Sequence, residues 1–456
     1  AFFRFDGSIF WENVGGIGPF PIVLFLAFLI HKEGVRSYFT RRVKLYSHLF
    51  FLAIAFVSFF LMLGKYSPLY LIYSFFPFNL FRVPSRFIWI FILSLMVLAT
   101  HGLSMLWQTA HHRLLVRTLV LAALAAHVGL LFWAWYPYHA VESATAWLAP
   151  PEIIKALPAS VRVRSVGSEA VHNQTFIPSG WQTVDPYFLL RNTLAPNSNV
   201  YWDIPGSQVY AGRFLRRSAL VDTLISQELT FDEHAATVSS LGKKLLDLGG
   251  VGTLIAALPL TQTGFTPLTS VSSGSTTITA WHNPTSLPRA YLATRPILTT
   301  TKEQAYAALA RDDFVPGESV LVETALPLSL GQKTTADVSL SNVRDTDITI
   351  FVKSNTQDAL LVFTDTYYPG WSATLDGKQI PIFPANIQHM GVVVPQGDHV
   401  VRFRYTPASF AVGAWISAIT LISLMGLWAF PLVSSWFHTR QKVLLRGARL
   451  RRSRGR

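Results

Sequence analysis

The sequence predicts an α-helical transmembrane bundle of five spans joined to an extracytoplasmic α+β domain that ends in an antiparallel β-sandwich. Three observations lead there: five long apolar runs without Asp, Glu, Lys or Arg, a one-sided placement of basic residues beside them, and a long polar stretch whose second half alternates like β-strands. The runs are Val14 to Ile30, Leu45 to Leu63, Phe87 to Leu106, Thr118 to Tyr136 and Phe410 to Phe437. A hydrocarbon core of about 30 Å asks for roughly 20 residues at about 1.5 Å each.

Charge orients the runs. His31 to Lys44 carries Lys32, Arg36, Arg41, Arg42 and Lys44 against Glu33, the turn before the fourth run adds Arg113 and Arg117, and the tail after Phe437 has eight basic residues and no acid. The positive-inside rule makes these segments cytoplasmic and places Pro137 to Ser409, with 19 basic and 22 acidic residues, outside. A net charge of +13 and a pI near 9.9 therefore reflect topology and do not point to nucleic acid. With no cysteine in 456 residues, no disulfide framework holds the outer domain, which must fold on its own core. The chain opens with Ala1 in an outer segment and no signal peptide, so we expect it to be the C-terminal part of a longer polytopic protein.

The expected organisation is a bundle over 1–136, an α/β region over 137–315, a sandwich over 316–409, a last span over 410–437 and a basic tail over 438–456. Tyr138 to Leu157 has helical spacing broken by Pro150 and Pro151, and Val161 to Val166 alternates as a half-buried strand. Gly212 to Ser226, Ala235 to Leu248 and Lys302 to Arg311 read as helices, the second closed by Gly249 and Gly250 before a strand at Val251 to Leu258. Six strands follow: Ser319 to Thr324, Ala336 to Ser341, Ile348 to Ser354, Ala359 to Thr366, Ser372 to Leu375 and His399 to Tyr405. Asp376-Gly377 signals a type I′ hairpin, and little linker separates Tyr405 from the last span.

Several of these strings resemble YfhO-type bacterial membrane proteins. Tyr367-Tyr368-Pro369-Gly370-Trp371, then Asp376-Gly377-Lys378, Pro395 to Gly397 and Arg402-Phe403-Arg404-Tyr405-Thr406-Pro407 look like the C-terminal end of that family. Asn283-Pro284, Leu287-Pro288-Arg289, Gly64 to Pro68 and Phe81 to Phe87 are similar to earlier family segments. The resemblance implies a membrane glycosyltransferase of GT-C type, using a polyprenyl-phosphate-linked sugar and an envelope glycan acceptor at the outer face of the bacterial plasma membrane. It also implies a catalytic carboxylate in a first outer loop, which would lie upstream of Ala1; the catalytic residues within this chain are thus unknown, and a divalent metal is an open alternative.

Glycosyl transfer from a lipid phosphate needs a base, cations for the leaving phosphate and a groove open to the acyl chain. Lys65, Arg82 and Arg86, with Tyr66, lie at the outer ends of helices two and three and suit the donor phosphate; the bland alternative is anchoring of helix ends by snorkelling. Glu12 and Asp6 are the acids of the first outer segment and the catalytic candidates within this chain, able to bind a metal or position an acceptor, or else a helix cap or an arginine partner. Trp371, Tyr367 and Tyr368 could stack on sugar rings, although aromatics around a Pro-Gly turn more often close a sandwich core. No metal set, Gly-x-Ser-x-Gly or Gly-Lys-Ser loop is present, and no acid lies within a span, which argues against a transporter. The competing expectation is a non-catalytic, membrane-anchored protein that binds or assembles envelope glycan.

Overall fold

The computed structural model describes residues 19–30, 42–69, 71–72, 75, 84–109, 113–138, 140–158, 161–179, 182–210, 215–231, 235–261, 264–274, 276–326 and 334–453. The chain divides into two compact units, one formed by residues 1–151, 167–193 and 272–276, the other by 152–166, 194–271 and 277–456.

The first unit is helical. It contains α1 (Pro19–Ile30), α2 (Arg42–Met62), α3 (Ile88–Thr109), α4 (Leu114–Trp135), α5 (Ala144–Leu148), α6 (Ser168–Ser179) and α7 (Asp185–Asn192). Helix α3 packs on both α1 and α2, and α1 also meets α4. Small residues let these helices approach: Ala55, Ser58, Ser94 and Ala99 are buried beside Leu61 and Leu98. The two serines satisfy their hydroxyls within their own helices, Ser58 on Ile54 O at 2.6 Å and Ser94 on Ile90 O at 2.8 Å. On α4, Leu119, Leu121, Val128, Phe132 and Trp133 are exposed, an apolar surface suited to lipid. Ile88–Gln108, Leu114–Trp135 and the later Ala408–Phe430 are long and apolar enough to cross a membrane. Of the two other runs expected to span, the first is described only from Pro19, and the apolar helical stretch of the second is Leu49–Met62.

The second unit begins with β1 (Arg162–Val166) and α8 (Arg216–Gln227), followed by the hairpin β2 (Leu229–Phe231) and β3 (Ala236–Val238). Then come α9 (Ser240–Leu248), β4 (Val251–Ala256), β5 (Thr266–Ser273) and β6 (Thr276–His282). The sheet order is β1-β4-β6-β5, with β1 parallel and β6 antiparallel to β4. The helix expected from Ala235 starts later, because Thr237 and Val238 favour the strand and Ser239 caps α9, its Oγ accepting from Gly242 N at 2.9 Å. One apolar face of α9, with Leu241, Leu245 and Leu248, joins Leu254 of β4, Val221 and Ile225 of α8, and Ala305 and Leu309 of α10 (Lys302–Ala310) in a single core.

The sandwich follows, with strands β7 (Ala290–Ala293), β8 (Arg295–Leu298), β9 (Ser319–Val322), β10 (Asp337–Arg344), β11 (Asp347–Asn355), β12 (Ala359–Thr366), β13 (Trp371–Leu375), β14 (Lys378–Ile380), β15 (Phe383–Ala385), β16 (His389–Val394) and β17 (Gly397–Tyr405). One sheet is ordered β10-β11-β17-β13-β14, the other β7-β12-β16-β15-β9-β8, with β8 and β9 the parallel pair. Strand β11 alternates from Asp347 to Val352, burying Ile348, Ile350 and Val352, and β17 buries Val401 and Phe403 against Phe363 and Met390 of the facing sheet. The rings of Phe363 and Phe403 stack at 5.2 Å. Strand β12 is apolar without alternation because its other face, Leu360 and Val362, packs in a second core with Ala293, Val320 and Val322. From β17 the chain passes through Thr406 and Pro407 into α11 (Ala408–Ser453).

The Asp376-Gly377 hairpin forms as expected, joining Leu375 to Lys378 with φ of 49° and 83°, the pair of positive values a type I′ turn requires. A Cβ on Gly377 would meet nothing within 4 Å, whereas one on Gly370 (φ 111°) would lie 2.9 Å from the Tyr405 ring and 3.1 Å from Pro407 Cα. Gly377→Ala should therefore cost only its backbone strain, about 1–2 kcal/mol, and Gly370→Ala distinctly more, as read by thermal unfolding of the two variants in detergent. Equal losses would mean that Tyr405 and Pro407 yield freely to the added methyl.

Candidate functional site

Residues two apart on a strand share a face, so Arg162 and Arg164 of β1 project to the same side. Each meets a carboxylate. Arg162 donates from Nη2 to Asp365 Oδ1 at 2.7 Å and from Nη1 to Thr364 O (2.9 Å), Thr364 Oγ1 (2.8 Å) and Gly249 O (3.1 Å). Arg289 takes the other oxygen of Asp365, Nη2 to Oδ2 at 2.8 Å, and lies over the Phe363 ring at 5.3 Å. Arg164, whose side chain is only 2% exposed, donates from Nη2 to Asp222 Oδ1 of α8 at 2.8 Å. Burial lowers the pKa of both β1 guanidiniums; Asp365 opposes the shift at Arg162 and Asp222 opposes it at Arg164. The half-buried strand expected over Val161 to Val166 is thus buried on both faces, its arginines tolerated inside because each finds a carboxylate.

These pairs line a cleft of about 410 Å³, together with Ser207, Gln208, Gln388, Tyr368, Trp371 and Tyr405. Ser207 and Gln208 are held there because their segment runs along the free edge of β1, with Val163 N on Pro205 O at 2.8 Å, Ser207 N on Val163 O at 3.0 Å and Ser165 N on Gln208 Oε1 at 2.9 Å. Two polar atoms at this cleft, Arg164 Nε and Ser207 Oγ, are buried without a partner. A second cleft of about 470 Å³ opens beside Arg216, Arg217, Lys302, Glu323 and the same aromatic turn. Tyr368 borders both.

The aromatic turn serves packing and surface together. Tyr367 and Trp371 lean on the sandwich core; Tyr367 lies under the Arg217 guanidinium at 5.4 Å, and Trp371 packs against Tyr405 with centroids 5.2 Å apart. Tyr368 is 43% exposed. Gly370 O accepts from Thr406 N at 2.8 Å, so the turn is tied to the residues that lead into α11.

Of the expected phosphate-binding residues, Tyr66 and Arg86 are exposed on short 3₁₀ turns, Gly64–Tyr66 after α2 and Pro84–Phe87 before α3, at the same end of that packed pair. Arg82, Glu12 and Asp6 lie outside the described residues, as does the side chain of Lys65. Among the described residues no three His, Asp or Glu side chains gather as a metal set. Sequence reasoning missed Arg162, Arg164, Asp222 and Asp365. Their signal was an arginine at alternate positions of an otherwise buried strand and an Asp closing the apolar run of β12.

Fold and cleft together define a membrane protein whose apolar helices accompany a β-rich region with a polar, aromatic-walled groove. The family model described as bacterial membrane protein YfhO matches residues 321–417, from β9 through the sandwich into the start of α11. The chain thus carries a YfhO-type C-terminal part. No curated protein and no solved structure matches.

His389 lies behind Arg162, 3% exposed, and its pKa is pushed down to about 3 by burial first and by the Arg162 charge second, with Asp365 opposing. It is neutral in the fold and titrates near 6.5 once unfolded. Stability from this residue is therefore complete above about pH 6.5 and is lost as pH falls toward 3, by up to about 1.4 kcal/mol per unit. Asp347, held down to about 2 by Arg402, begins to contribute its own acid loss only below the ordinary carboxylate range. Between pH 6 and 4.5 the melting temperature should fall in the parent and fall less in His389→Gln; parallel slopes would assign the acid sensitivity to another group.

Proposed function

We propose that this chain is part of a glycan-handling membrane protein of the bacterial cell envelope, a GT-C-type glycosyltransferase that moves a sugar from a polyprenyl-phosphate carrier to an envelope glycan. In this reading the β-rich region stands on the outer face of the plasma membrane and the basic tail on the cytoplasmic face. The observation that supports it best is the cleft itself: aromatic rings beside fixed ion pairs, the aromatic wall drawn from the YfhO-type segment and hydrogen-bonded to the residues that enter an apolar helix. Aromatic faces with polar groups around them suit pyranose rings. Arg82 and Arg86 bind the donor phosphate, with Lys65 and Tyr66 beside them, and Tyr368, Tyr367 and Trp371 form the wall along which the acceptor lies. Glu12 and Asp6 position the acceptor.

Two of the three carboxylates of the cleft favour recognition over chemistry there. Asp222 is paired with Arg164, and Asp365 with Arg162 and Arg289, so neither is poised as a general base. This supports a second reading, a non-catalytic glycan-binding or assembly protein, in which the cleft works without transfer. Full-length protein in proteoliposomes, given a radiolabelled polyprenyl-phosphate sugar and cell-wall glycan, separates the two. Transfer should occur and fall by at least about a hundredfold in Arg82→Ala/Arg86→Ala, the order of effect expected for losing charge stabilisation of a leaving phosphate. Undiminished transfer removes the arginines from the site; retention of glycan without transfer leaves the binding role.

A further inference from the structure

The Arg164 and Asp222 pair has a disposition that packing alone does not require. The guanidinium is almost wholly buried, its Nε has no partner, and the carboxylate it holds is half exposed. Asp222 takes Arg164 on Oδ1, and among the described contacts its Oδ2 accepts no protein donor. Acceptor and aromatic wall are therefore assembled before any ligand arrives.

The charge balance states what fits. Two arginines and three carboxylates, Asp222, Asp345 and Asp365, line the cleft, and both arginines already face a carboxylate. A polyanion would find no spare cation and would meet like charge. An uncharged sugar offers hydroxyls to Asp222 Oδ2 and an apolar ring face to Trp371 and Tyr368. We propose that this cleft is a binding subsite for an uncharged hexose segment of a glycan, with Asp222 as its hydroxyl-binding group and Trp371 and Tyr368 as its wall. The inference rests on the glycan-handling reading above and narrows it to a neutral stretch of the acceptor.

Isothermal titration of the full-length protein in nanodiscs, with a neutral glucan hexasaccharide and a hexuronate of the same length as probes, tests it. The neutral probe should bind, the hexuronate at least about tenfold more weakly. Asp222→Asn should weaken neutral binding about tenfold, as expected for a lost charge-assisted hydrogen bond, and Tyr368→Ala, at an exposed residue of the wall whose loss leaves the ion pair intact and guards against a folding artefact, about threefold. Tighter binding of the hexuronate, or neutral binding indifferent to both variants, overturns the subsite and leaves the glycan reading standing. Binding of neither probe counts against both.

Discussion

Asp365 is the residue on which the second unit turns. Its two oxygens hold Arg162 from β1 and Arg289 from the segment before β7, and Arg162 in turn reaches Gly249 at the end of α9 and Thr364 on β12. One carboxylate thus joins the edge of the mixed sheet, the end of a helix and a central strand of the sandwich. With both side chains of the Arg162–Asp365 pair only 19% exposed, the charge is costly unless every partner is present, because desolvation removes more than a single bond returns. The consequence is geometric: β1 cannot slide along β12 without breaking several bonds at once, and the cleft keeps its shape.

That fixed floor meets a wall that is fixed for another reason. Trp371 and Tyr405 belong to paired strands, Trp371 opposite Tyr405 in the β13–β17 register, and Gly370 leaves room for the Tyr405 ring and Pro407 where a side chain could not fit. The hydrogen bond from Thr406 N to Gly370 O then carries the wall to within two residues of α11. The cleft and the start of an apolar helix are consequently parts of one rigid strand-and-turn assembly.

Much of this was legible in the residues, and the illegible part has a common cause. Ile348, Ile350 and Val352 at every second position marked β11, the uninterrupted Ala359-Leu360-Leu361-Val362-Phe363 run marked β12, and Asp-Gly marked the hairpin, because each signal is local. Strand β16 escaped because His389 and Gly391 break an apolar pattern whose meaning depends on β12 and β15 beside it. The aromatic turn was readable as a packing motif and as a wall at once. The cleft floor was not: Arg162 and Asp365 are more than two hundred positions apart, and an arginine alternating with valine in a strand ordinarily faces water.

The claim that Asp365 sets the geometry of this region is tested most directly by a double-mutant cycle on Arg162→Ala and Asp365→Ala, read by thermal and denaturant unfolding of the protein in detergent. The account predicts that each single change costs about 3 kcal/mol and that the double change costs clearly less than their sum, since the second partner is no longer left buried alone. Strictly additive losses, or single losses of a few tenths as on an open surface, would contradict it.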